Sequence, residues 1–119
     1  MTRSDYILTS ADCPEWLVYP KSFRRLVEQS LINITPWHIM RRERAVALFS
    51  QLQQRYPSRI LFPFAYRQDN DDVVCWEKGN GEVVLIIHDH SSPGYENEGS
   101  HVDVWSWFRA AIDETIDWD

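Results

Sequence analysis

Apolar positions recur at helical spacing in three places along this chain and at strand spacing in three others. "YPKSFRRLVEQSL" predicts a first helix: Phe23, Leu26, Val27 and Leu31 share one face, and Pro20 suits its first turn. "NITPWHIM" reads as extended chain or a connector, because Pro36 disfavours helix just before it. "RRERAVALFSQLQQRY" is the clearest helix. Its Ala45, Leu48, Phe49, Leu52 and Tyr56 fall within about 100° of arc, and Pro57 ends it. Three strands follow. "RILFPFAY" carries Pro63, which predicts an edge strand or a bulge. "DVVCWE" comes after a polar turn. "EVVLIIHD" comes after Gly79-Asn80-Gly81, a hairpin signal. Val83, Leu85 and Ile87 alternate with Val84 and Ile86, so this last strand is apolar on both faces and is expected to lie centrally, covered on each side. "HSSPGYENEGSH" reads as a loop. A closing helix, "DVWSWFRAAIDETIDWD", is capped by Asp103. Trp105, Phe108, Ile112 and Ile116 form its main stripe, and Trp107, Ala111 and Trp118 form a second apolar flank.

Short turns between consecutive strands require antiparallel pairing, and the helices stand before and after them. The expected class is α+β: a central, mainly antiparallel sheet flanked by helices. The 119 residues make one domain, 1–119, in which 1–18 form an N-terminal arm of uncertain structure with Trp16 and Leu17 tucked in. "MTRSDYILTS" lacks the apolar core of a signal peptide. No run approaches the roughly 20 apolar residues of a membrane span. Cys13 and Cys75 fit no zinc or redox spacing. A cytoplasmic protein with free thiols is the expectation, with no membrane partner.

Charge changes the picture. Up to Ile60 there are nine Lys/Arg and five Asp/Glu, net +4; from Leu61 there are three and thirteen, net -10. An acidic half repels phosphate, so nucleic acid is not an expected partner, and a basic protein surface is. The same acids would also serve solubility alone.

Candidate chemistry is thin. Asp69-Asn70-Asp71-Asp72 resembles a calcium loop in composition only, since Val74 and Asn80 stand where an EF-hand needs Gly and Glu. A turn between strands accounts for the run. His88 and His90, with Asp89, His101 or Asp103 nearby, offer metal-ligand types without a specific spacing. There is no nucleophile elbow and no phosphate-binding glycine loop before a helix. Glu77 and Glu82 flank the hairpin turn as surface acids. No catalytic residue, metal ligand or cofactor is assigned, and a metal-dependent hydrolase built on His88 and His90 is the less favoured alternative. Among the aromatics, Trp76 and Trp105 are expected in the core, as are Phe62, Phe64 and Tyr66. Trp107 and Trp118 are expected in a partly exposed patch. The candidate protein-binding residues are therefore Asp69, Asp71, Asp72, Trp107 and Trp118.

Four segments, "YPKSFRRLV", "LFPFAYRQDNDDVVCW", "VVLIIHDHSSPGYE" and "VWSWFRAAID", resemble the SUKH superfamily, the Smi/Knr-like group. The resemblance spans about Trp16 to Trp118. It implies an α+β domain with no catalytic residues and no fixed binding motif. Fungal members are regulators of cell-wall assembly that act as interaction hubs. Many bacterial members are immunity proteins that neutralise nucleases or other toxins. A compact chain without long arms is similar to the bacterial type, so the expected partner is a toxin domain. A general regulatory adapter without a toxin partner is the alternative.

Overall fold

The computed structural model describes residues 5–118. Its elements are α1 (Lys21–Glu28), β1 (Asn33–Ile34), β2 (Trp37–Ile39), α2 (Arg42–Arg55), β3 (Leu61–Arg67), β4 (Asp72–Glu77), β5 (Val84–His88), β6 (Asn97–His101) and α3 (Val104–Asp117). The six strands form one antiparallel sheet in chain order, β1-β2-β3-β4-β5-β6. The class is α+β, as the pattern predicts. No helix among the described residues is long and apolar enough to cross a membrane.

Local chemistry sets the element ends. α1 stops at Ser30, whose φ of 58° is left-handed, and Leu31 then donates its N–H to the Leu26 carbonyl at 2.9 Å. Leu31 therefore leaves the helix and lies exposed, off the face shared by Phe23, Leu26 and Val27. Asp103 caps α3, accepting the Ser106 N–H at 2.9 Å. Gly79 and Gly81 turn between β4 and β5 with φ of 86° and 58°, which a side chain would strain. The "NITPWHIM" stretch closes as the β1–β2 hairpin over a cis Thr35–Pro36 bond.

Pro63 lies inside the sheet, not at its edge. β2 pairs only with Ala65, Tyr66 and Arg67 of β3, so the missing Pro63 N–H falls beyond that ladder. The register with β4 also shifts between Pro63 and Ala65, the expected bulge. β5 is fifth of six strands, next to the edge, because the stretch read as a loop contributes β6. The Asn97–His101 strand contains no aliphatic or aromatic-hydrocarbon side chain and is mostly exposed, as an edge strand can be.

The two sheet faces are covered differently. α1 and α3 pack on one face around an aromatic core. Trp76 stacks on Phe64 at 4.2 Å and meets Phe23 at 5.2 Å and Tyr19 at 5.8 Å between ring centroids. Trp107 of α3 closes the group, 5.6 Å from Phe64 and 5.9 Å from Trp37. α2 covers the other face, where Arg44 lies 3.7 Å above the Tyr66 ring and Arg55 reaches Asp89. The described part of the N-terminal arm belongs to the core as well: Tyr6, Leu8 and Leu17 are buried, and Leu8 donates its N–H to the Tyr19 hydroxyl at 3.1 Å. Burial pushes the Tyr19 hydroxyl up to about 12.

The expected face of α3 is corrected. Trp107 is 1% exposed and Trp105 is 39% exposed, with Ile116 at 72%. Val104, Trp107 and Ala111 face inward, because Trp37 and Phe64 complete an aromatic surface that accepts the Trp107 ring. Trp107 is a core residue and leaves the candidate binding set.

Candidate functional site

The remaining candidates converge on one end of the sheet, where the β3–β4 turn meets the end of β5 and the last turn of α3. The turn is built by its own polar residues: Asn70 accepts the Asp72 N–H at 2.7 Å, an Asx turn. Arg67, the last residue of β3, organises what surrounds it. Its guanidinium donates to Asp69 at 2.7 Å and to Glu114 of α3, and its Cζ lies 5.5 Å from the Trp37 ring and 5.6 Å from the Trp118 ring. Trp37 donates its indole N–H to the same Glu114 at 3.1 Å. Burial works against the Arg67 charge, but the bonds to Asp69 and Glu114 outweigh it and its pKa rises.

Asp72 opens β4 opposite His88 in the register, and the Asp72 carboxylate meets His88 Nδ1 at 2.6 Å. The hydrogen bond to Asp72 raises the pKa of His88. Partial burial opposes that rise, while the Asp72, Glu98 and Asp71 charges add to it. Asp71 is exposed and opens toward α2. With Arg44, Gln51, Tyr66 and His90 it lines a cleft of about 310 Å³. On the α3 side, Asp72, Glu98, Arg67, Glu114 and Trp107 line a second cleft of about 410 Å³.

Asp69 and Trp118 therefore gather around Arg67 on the α3 side of this end, Asp72 lines the same cleft while bonded to His88, and Asp71 sits at the same end on the α2 side. Trp107 lies beneath them as packing. Glu98, Arg67, Glu114 and Arg44 were not singled out in the sequence. Nothing in the sequence marked Glu98, because Asn97–His101 carries no apolar residue and lies in a Ser- and Gly-rich stretch.

His88 and His90 do not share a site. β5 ends at His88, and His90 follows at a left-handed φ of 68° with an exposed ring near Asp89. Asp103 is committed to capping α3, and Glu77 is paired with Arg59 at 2.8 Å. Among the described residues, the one group whose ligand atoms come together is Asp72, His88 and Glu98.

Other carboxylates of the acidic half are held inside the fold. Asp89 takes a two-pronged bond from Arg55, at 2.7 and 2.6 Å. Glu96 accepts Arg59 at 2.9 Å and the Gly94 N–H at 2.6 Å, while Arg59 also forks onto Glu77. Burial alone would raise the Glu96 pKa, but the Arg59 and backbone N–H bonds win and lower it. Tyr56 donates to the Ser91 carbonyl at 2.8 Å, so the 89–96 loop is clamped against α2. Burial pushes the Cys75 thiol beneath this clamp far up, which leaves it inert at neutral pH.

Compared with known proteins, the chain has no match among family models, curated proteins or solved structures.

Proposed function

We propose that this chain is a non-enzymatic protein-binding domain whose acidic sheet end docks a basic partner, and that it serves as an immunity protein which binds and neutralises a toxin. The observation that carries this reading is the gathering of Asp69 and Trp118 around Arg67, with Asp72 lining the same cleft as Arg67 and Asp71 exposed at the same end. An aromatic ring bordered by exposed carboxylates supplies both parts of a tight interface: apolar contact for affinity and charge for rapid, oriented encounter. A nuclease is the toxin class that fits best, since its nucleic-acid groove must be basic. The resemblance of "LFPFAYRQDNDDVVCW" to the Smi/Knr-like group agrees with this reading.

The test is capture of the partner from the native host, followed by expression of that partner alone and with this chain. The proposal expects growth arrest by the partner alone and rescue by co-expression. A captured partner that is harmless on its own would replace the immunity reading with that of a regulatory adapter. Rescue that persists after Asp69, Asp71 and Trp118 are replaced together would show that another surface binds.

A further inference from the structure

We propose that Asp72, His88 and Glu98 form a binding site for a divalent transition-metal ion of the zinc class. The three residues come from three neighbouring strands, β4, β5 and β6, so the sheet itself fixes their spacing. Each offers one ligand atom, and these atoms all lie within 4.8 Å of one another.

Glu98 reaches the site through an irregularity of the edge strand. The β5–β6 register pairs Ile86 with Gly99 and Ile87 with Asn97, which leaves Glu98 as the extra residue of a bulge. Bulges of this kind re-aim a side chain at a sheet edge. An ion held at about 2.1 Å from each donor sets the donors about 3–3.5 Å apart. Asp72 and His88 meet at 2.6 Å, so an ion between them replaces their hydrogen bond and moves them slightly apart, and the exposed Glu98 side chain has the freedom to close on it.

The donor set selects the metal class. One imidazole and two carboxylates suit zinc and its neighbours, and three protein ligands leave a position open to solvent. A second observation comes from the cleft that Asp72 and Glu98 line. Trp107 also lines it; this residue is 1% exposed, and its buried indole N–H has no acceptor among the described residues. A buried donor left without an acceptor costs free energy. The site stands without the partner-binding reading and is tested on the chain alone.

The experiment is calorimetric titration of the chelator-treated chain with zinc chloride, with cobalt(II) as a spectroscopic probe. The expected result is one ion per chain at micromolar affinity, with visible cobalt bands of low coordination number. Glu98→Gln and His88→Ala are expected to weaken binding by about tenfold or more, and His90→Ala is expected to leave it unchanged. Glu98 is exposed, so Glu98→Gln retains the fold and keeps the test decisive if His88→Ala does not. Absence of saturable binding up to about 100 μM zinc would overturn the proposal, given the affinities that protein zinc ligands reach. So would binding that Glu98→Gln leaves intact, or a loss in His90→Ala equal to that in His88→Ala.

Discussion

His88 and Asp89 are neighbours in the chain, yet they belong to opposite acid-rich regions. On the α2 face, Asp89, Glu96 and Glu77 are taken up by Arg55 and Arg59, and Asp89 and Glu96 are 4% and 3% exposed. On the α3 face, Asp72, Glu98 and Asp69 stay half-buried or exposed, with His88 bonded to Asp72 and Arg67 to Asp69. The first region is closed and the second is open. The contrast changes the meaning of the charge split between the halves of the chain. Arg55 and Arg59 come from the basic half and neutralise carboxylates of the acidic half inside the fold. Only the remainder is available as a negative surface. A buried carboxylate with two guanidinium bonds is committed to the fold, while a rim carboxylate keeps its charge for steering.

The tryptophans offer the widest test of this contrast. Trp107→Ala removes a buried ring and is expected to cost about 3–5 kcal/mol, whereas Trp118→Ala on the open end should stay within about 0.5 kcal/mol; urea unfolding of both variants measures the gap. Asp89→Ala is expected to cost about 3 kcal/mol, near the low end for breaking a buried pair, because Arg55 retains some access to water. The same unfolding measurement on Glu98→Gln, on the open α3 face, should show no loss beyond about 0.5 kcal/mol. Equal losses in the two would erase the distinction between closed and open regions.

Acid titration gives a smaller effect. The folded state holds Glu96 below its ordinary range, facing Arg59 and the Gly94 N–H, with Glu77 on the same guanidinium. A lowered carboxylate pKa contributes stability that is present above the unfolded value, about 4.3, and is lost as pH falls through the folded value. Melting temperatures of the parent and Glu96→Gln should therefore differ most near neutrality and converge as the pH drops below about 4. The smallest structural effect is at the α3 cap, where Asp103→Ala should cost about 1 kcal/mol.

Much of the frame was legible because it depends on local pattern. "DVVCWE" sits between a polar turn and a glycine turn, and it forms β4 over the same six residues. Asp103 caps α3 as its position before an apolar stripe predicts. What was hidden depends on distant partners. α3 carries two apolar flanks of similar width, and the choice between Trp105 and Trp107 is made by Trp37 and Phe64 across the core. β6 has no apolar residue to announce it, so Glu98 could not be placed beside Asp72 and His88. Strand alternation puts His88 and Asp89 on opposite faces, but nothing local says that α2 brings Arg55 over only one of them. The charge count by halves missed this pairing for the same reason.

The central claim is that the open acidic end, and not the closed one, grips a basic partner. Binding of the captured partner to the combined Asp69→Asn, Asp71→Asn and Trp118→Ala variant, measured at low and high salt, tests it most directly. The account predicts a loss of about tenfold or more at low salt that shrinks as salt screens the parent interaction, with the variant's thermal melt unchanged. An affinity equal to that of the parent at both salt concentrations would contradict it.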